Sequence, residues 1–114
     1  MTPDVMAEPR FDTDVPARFQ VTADKVEGRI ENASLGGVFI ETSSIPDRGD
    51  KLWLSFEGPD GEVVEAIGIV WWTTLESDTD RTTRQGFGVR LVASSGDYRR
   101  FMKKLARRAA ALPN

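Results

Sequence analysis

Residues 31–42 read ENASLGGVFIET, in which a polar Asn-Ala-Ser tripeptide and two consecutive glycines stand directly before an apolar run. The run Val38-Phe39-Ile40 has the β-branched and aromatic side chains that favour a strand. Paired glycines permit a turn or a bulge, and Asn and Ser side chains readily close turns onto the backbone. The stretch therefore predicts a corner between two strands, in which Asn32, Ser34 and Gly37 are also candidates for binding a small polar ligand.

Five further segments have strand signals, and turn residues separate them. They are residues 15–21, 26–31, 52–56, 63–72 and 85–92. Alternation puts Trp53 and Trp71 on the outward faces of their strands, and it puts Trp72 on the face predicted to be core. Two interpretations of Trp53 and Trp71 stay open: the C-terminal helix covers them, or they form an exposed contact site for a partner.

The periodicity changes to that of a helix after Ser95. Ser95 or Asp97 is a candidate N-cap, so we expect a helix over residues 97–112. Apolar side chains recur along one face, at Tyr98, Phe101, Met102, Leu105, Ala109 and Leu112. The opposite face is basic, and it consists of Arg99, Arg100, Lys103, Lys104, Arg107 and Arg108. That basic face is either a solvated surface or a contact surface for an acidic protein or a membrane.

Six strands followed by one helix predict a mainly β fold. The expected architecture is a small antiparallel barrel or a closed sandwich that the amphipathic helix partly covers. A chain of 114 residues has the size of one domain. We expect residues 1–9 to be a flexible leader and residues 10–114 to form the domain, including the helix.

Composition argues against several classes of function. The chain has neither histidine nor cysteine, which removes the commonest general base, the usual thiol nucleophile and most zinc chemistry. Residues 1–96 hold 9 basic and 17 acidic side chains, whereas residues 97–114 hold 6 and 1. An acidic body with a basic tail differs from a uniformly basic nucleic-acid binder. We expect no enzyme activity, no cofactor and no contact with nucleic acid.

Metal binding and membrane insertion are also not expected. The acidic loop with Glu76, Asp78 and Asp80 lacks the glycine and distal glutamate of an EF-hand, so we interpret it as an ordinary hydrated loop. The chain has no signal-peptide pattern and no apolar stretch long enough to span a bilayer. These features predict a cytoplasmic protein.

Three stretches resemble the motifs of the PilZ domain, a bacterial module that commonly serves as a receptor for the second messenger cyclic di-GMP. Residues 32–37, NASLGG, fit its [Asp/Asn]-x-Ser-x-x-Gly motif. Residues 68–72, GIVWW, look like its Gly-x-Val-x-Trp strand, and residues 85–90, QGFGVR, are similar to its closing Gly-x-Gly-Val strand. The resemblance implies a six-stranded antiparallel PilZ-type β-barrel with a C-terminal amphipathic α-helix.

The resemblance also implies a ligand site at the Asn-Ser-Gly corner. In the family pattern, side chains at the positions of Asn32 and Ser34 hydrogen-bond a guanine edge, and a glycine at position 37 lets the backbone approach the ligand closely. The same three residues have a purely structural interpretation, because they suit a turn and a bulge at a barrel corner.

Family members that bind the dinucleotide also carry an Arg-x-x-x-Arg segment ahead of the first strand. If Arg10 is the second arginine, the first falls on Met6; if Arg10 is the first, the second falls on Asp14. We prefer the first register, but either one lacks an arginine. A charge-assisted hydrogen bond contributes roughly 1.5–3 kcal/mol, so losing about two of them weakens binding a hundredfold or more.

The resulting hypothesis is a regulatory adaptor that contacts another protein of a motility or surface-related pathway and binds cyclic di-GMP weakly or not at all. The alternative is a functional receptor that uses Arg10, Asn32, Ser34 and Gly37. The candidate partner contacts are Trp53, Trp71 and the six cations of the helix.

Overall fold

A closed antiparallel barrel with a C-terminal helix forms the protein. The computed structural model describes residues 9–75 and 85–111. Its elements in chain order are β1 (Phe11–Gln20), β2 (Lys25–Ala33), β3 (Gly37–Glu41), β4 (Lys51–Glu57), β5 (Val63–Thr73), β6 (Gly86–Ser94) and α1 (Gly96–Ala111). The strands pair in the closed order β1-β2-β3-β6-β5-β4. The prediction of a six-stranded antiparallel barrel with a C-terminal helix is confirmed.

The barrel core follows the predicted alternation of side chains. Leu52, Leu54 and Phe56 on β4 point inward and are buried, while their neighbours on the strand are more exposed. Each such side chain contributes about 1.5–3 kcal/mol when it leaves water. Opposite walls meet in the centre, where the rings of Phe19 and Phe87 lie edge to face with centroids 5.1 Å apart.

Helix α1 packs its apolar face into the barrel core. Tyr98, Phe101, Met102 and Leu105 are buried and belong to the same cluster as the inward side chains of the strands. The ring of Phe101 lies 4.8 Å from that of Phe56, measured between centroids. Side chains of a helix reach a barrel interior only through an open end, so α1 closes one end of the barrel.

Because α1 turns inward, it leaves the outer wall of the barrel open. Trp71 remains 43% exposed, so the interpretation in which the helix covers this tryptophan is wrong. Trp53 is half-buried, and the ammonium group of Lys25 lies 5.3 Å from the centroid of its ring. Both tryptophans face outward, as the alternation predicted.

Trp72 departs from its prediction because β5 contains a bulge. The pairing with β6 shifts between Val70, which faces Val89, and Trp72, which faces Gly88. Two residues of β5 thus oppose one step of β6, and the strand reverses its faces locally. Trp72 is therefore 41% exposed rather than core, and Thr73 takes the inward position with 4% exposure.

Two strand boundaries also extend beyond their predictions. Strand β1 begins at Phe11 rather than at residue 15, and its pairing with β2 shifts between Asp12 and Val15. That irregularity interrupts the alternation on which the prediction rested. Strand β2 runs on through Asn32 to Ala33, so part of the predicted corner is strand. Among the described residues, no helix is both long and apolar enough to cross a membrane.

Candidate functional site

The structure brings the four predicted site residues together. Arg10 directly precedes β1, Asn32 lies near the end of β2, Ser34 follows that strand, and Gly37 begins β3. An open cavity of about 230 Å³ has Arg10, Ser34 and Gly37 in its wall. The remaining wall comes from residues 36, 71, 72 and 88–91. The cavity thus lies where the β2–β3 corner meets the bulged part of β5 and the middle of β6.

Arg10 is positioned by Asn32. Its Nη1 donates a hydrogen bond of 2.8 Å to the side-chain oxygen of Asn32. The antiparallel pairing of β1 with β2 sets this distance, because Asp12, two residues after Arg10, lies opposite Asn32. A guanidinium carries five N–H donors, so this bond leaves others directed toward solvent for an anionic or carbonyl-bearing ligand.

Ser34 has a structural role in the corner. Its hydroxyl lies 3.3 Å from the carbonyl oxygen of Gly37, and its backbone N–H donates to the same carbonyl at 2.8 Å. Its own carbonyl oxygen accepts a hydrogen bond of 2.5 Å from the hydroxyl of Tyr98 on α1. The turn is therefore hydrogen-bonded to the helix, and Ser34 is buried, with 3% of the residue exposed.

Gly37 is required by the contact between β3 and β6. A Cβ atom at this position would lie 2.5 Å from the carbonyl oxygen of Val89, far inside contact distance. The nearest cationic group is the guanidinium of Arg10, with Nη2 3.9 Å from the same point. The absence of a side chain at Gly37 thus permits the close packing of the strands and leaves space in the cavity beside Arg10.

Arg90 is a site residue that the sequence reasoning missed. It lies directly opposite Gly37 in the β3–β6 pairing, and it lines the same cavity. Its guanidinium carbon lies 4.8 Å from the centroid of the Trp71 ring, which is a cation–π distance. The signal was present in the QGFGVR stretch, but only the pairing of β3 with β6 brings Arg90 beside the Asn-Ser-Gly corner.

The second register for the arginine pair puts Asp14 into the site, and the structure gives this carboxylate another partner. Asp14 accepts a hydrogen bond of 2.6 Å from Nε of Arg29 on β2. The bond raises the pKa of Arg29 above its ordinary value. Met6, the position used by the preferred register, lies outside the described residues.

The basic face of α1 is partly engaged within the chain. Lys104 forms ion pairs with Asp60 and, at 3.4 Å, with Glu62 in the β4–β5 turn. Arg100 pairs with Asp97 at 2.7 Å, one helical turn away. Apart from Arg100, the exposed positions on this face are Arg99, Lys103, Arg107 and Arg108. These four retain the geometry for a partner contact, whereas Lys104 braces the helix against the barrel.

Residues 9–75 and 85–111 contain no cluster of three or more acidic side chains positioned to hold a metal ion. The acidic loop at Glu76, Asp78 and Asp80 lies outside these ranges, as does the predicted leader up to residue 8.

Comparison with known proteins identifies the family. The PilZ domain family model matches residues 4–107, so the chain belongs to the PilZ domain family. No curated protein matches the sequence. Among solved structures, the chain is similar to the Bacillus subtilis inhibitor of motility, MotI/DgrA, with a TM-score of 0.77 and 16% identity. The alignment covers 95% of this chain and 53% of that one, so this chain spans about half the length of MotI/DgrA.

Proposed function

We propose that this chain is a non-enzymatic PilZ adaptor that regulates a motility or surface-related process by contacting another protein, and that it binds cyclic di-GMP weakly or not at all. Membership of the PilZ family supports the regulatory role. The motility pathway is an extension from MotI/DgrA, whose name describes an inhibitor of motility and whose likeness to this chain is one of fold.

The observation that carries the proposal is that Arg10 is a single arginine where the family's ligand motif has two. It is the one arginine that either register supplies ahead of β1, and it already donates to Asn32. The other register offers only the carboxylate of Asp14, which would repel phosphate and which is paired with Arg29. The cavity of about 230 Å³ is also smaller than the roughly 300–1,000 Å³ typical of pockets that enclose a drug-sized ligand.

Titration calorimetry with cyclic di-GMP tests this proposal on the full chain. We expect no saturable heat at low micromolar nucleotide, and the same result for Arg10→Ala. Arg18→Ala is a matched control, because Arg18 is an exposed arginine of β1 outside the site. Saturable low-micromolar binding that Arg10→Ala abolishes and Arg18→Ala preserves would contradict the proposal.

A second candidate function is a working receptor with a different pair of arginines. Arg90 supports it, because this side chain lies opposite Gly37 and lines the cavity together with Arg10. A guanidinium can hydrogen-bond phosphate and stack on a base, which lysine cannot do equally well. The receptor hypothesis predicts saturable binding that both Arg10→Ala and Arg90→Lys weaken at least tenfold. The adaptor hypothesis predicts no saturable binding of cyclic di-GMP by the parent, by Arg10→Ala or by Arg90→Lys.

A further inference from the structure

An apolar strip runs along the outer wall of the barrel on β4 and β5. We call Trp53, Ile67, Ile69 and Trp71 the outer strip. Trp53 lies directly opposite Ile67 in the pairing of the two strands, and Ile69 and Trp71 continue the same face of β5. Ile67 is 36% exposed and Trp71 is 43% exposed, so water contacts large apolar side chains along the strip.

Lys25, Lys51 and Arg90 border the outer strip, and Arg48 also lies beside it, in one surface cavity with Ile69 and Trp71. Lys25 lies over the ring of Trp53, and Arg90 lies over the ring of Trp71. Lys51 stands between them, opposite Ile69. Within residues 9–75 and 85–111, none of Lys25, Lys51 and Arg90 forms an ion pair.

This positive border contrasts with the rest of the barrel. Residues 1–96 carry 9 basic against 17 acidic side chains. Glu65 begins the acidic surface on the same face of β5, two residues before Ile67. The outer strip is therefore a narrow apolar and cationic band within a predominantly acidic part of the chain.

We propose that the outer strip is the docking surface for an acidic, amphipathic segment of the partner protein. Apolar side chains of that segment would pack on the tryptophans and isoleucines, and its carboxylates would pair with Lys25, Lys51 and Arg90. Charge complementarity selects this partner, since such pairs fix orientation and speed association. This inference rests on the proposed adaptor function, and it adds the surface and the chemistry of the partner.

The acidic body favours a protein segment over an anionic membrane. A membrane presents negative charge across a wide plane, so it would face the acidic surroundings of the strip as well as its bordering cations. A single segment covers only the band itself. Tryptophan and arginine, represented here by Trp53, Trp71 and Arg90, are also enriched among the residues that dominate the energetics of protein interfaces.

The three indole N–H signals of the protein provide a local readout by nuclear magnetic resonance. The full chain, labelled with nitrogen-15, is titrated with a synthetic amphipathic peptide that has leucines on one face and glutamates along both edges. We expect the signals of Trp53 and Trp71 to shift saturably, together with the amides of residues 67–69. The same peptide with lysines in place of glutamates is the probe control, and we expect at least tenfold weaker binding.

Two charge-reversal variants separate the strip from general electrostatics. The double substitution Lys25→Glu with Lys51→Glu removes two bordering cations, and we expect it to weaken binding about tenfold or more. Lys103→Glu is the control, because Lys103 is an exposed cation on α1 and forms no ion pair among the described residues. Unchanged thermal unfolding establishes that each variant folds.

Three results would overturn the inference. The first is equal binding of the glutamate and lysine peptides, or binding of neither. The second is binding to phosphatidylglycerol vesicles through Trp53 and Trp71 in the absence of any peptide binding. The third is a concentration-dependent shift of these indoles without peptide, which would make the strip an interface between two copies of this chain. None of these readouts uses cyclic di-GMP, so a failure here is distinct from a failure of the calorimetric test.

Discussion

At the scale of single residues, the glycines of the closing family motif lie where β6 packs closely against its neighbours. A Cβ at Gly86 would lie 2.1 Å from the carbonyl oxygen of Ile40, and one at Gly88 would lie 2.3 Å from Nε1 of Trp72. The ring of Trp72 occupies the space above Gly88 and stacks on Phe39 with centroids 5.4 Å apart. These glycines serve strand packing, and their presence alone is therefore weak evidence for a ligand.

Replacement of Gly86 by alanine tests this steric explanation. The new methyl group meets backbone rather than a flexible side chain, so strands β3 and β6 must separate. We expect a loss of about 1–3 kcal/mol in the free energy of unfolding, measured by urea denaturation. Gly96→Ala is the matched control, because nothing lies within 4 Å of its added Cβ. The explanation fails if both variants have the stability of the parent.

At the scale of elements, α1 is fixed to the barrel at two places. Tyr98 hydrogen-bonds the carbonyl of Ser34, and Lys104 pairs with carboxylates of the β4–β5 turn. The first contact couples the helix to the candidate site. The second contact depends on charge, because it joins an ammonium group to carboxylates. The hydrogen bond from Lys104 to Asp60 raises the pKa of Lys104.

The ion pairs of Lys104 predict a specific pH dependence. The pKa of Glu62 is lowered, first by a hydrogen bond from its own backbone N–H and then by Lys104. The stabilisation from Glu62 is therefore present above about pH 4.3 and is lost as pH falls through its lowered pKa. The raised pKa of Lys104 gives stabilisation that is present below about pH 10.4 and is lost at higher pH.

We expect Lys104→Met to be less stable than the parent between these limits and to approach it in acid, where Glu62 is protonated. Thermal unfolding as a function of pH measures the difference. Lys103→Met is the matched control, because Lys103 is adjacent to Lys104 in the chain and is exposed. A stability difference between Lys104→Met and the parent that persists unchanged in acid, below the lowered pKa of Glu62, would show that something other than the ion pairs of Lys104 holds the helix.

At the scale of the whole molecule, the alternation of apolar and polar residues predicts the barrel, because each strand has one face toward the core and one toward solvent. Leu52, Leu54 and Phe56 show this clearly, and the helical spacing of the apolar residues after Ser95 predicts α1 equally well. Alternation fails at Trp72, because a bulge changes the face of the strand without a local signal. The bulge is visible only in the pairing with β6, which the alternation along β5 alone does not contain.

The residues of the candidate site also fall into those that the sequence could predict and those that it could not. Arg10, Asn32, Ser34 and Gly37 could be predicted because the family motif names their positions. Arg90 could not, because it lies more than fifty residues after Gly37 and becomes its neighbour only when the barrel closes. The outer strip was only partly predictable: the outward faces of Trp53 and Trp71 follow from alternation, but the orientation of α1 decides that Trp71 stays exposed.

We attribute weak or absent binding of cyclic di-GMP to one missing arginine, and the substitution Met6→Arg supplies it in the preferred register. Titration calorimetry would compare the affinity of the parent and of Met6→Arg for cyclic di-GMP. We expect the added guanidinium, with about two charge-assisted hydrogen bonds, to tighten binding about a hundredfold or more. Tight binding by the parent, or no gain in affinity on Met6→Arg, would contradict it.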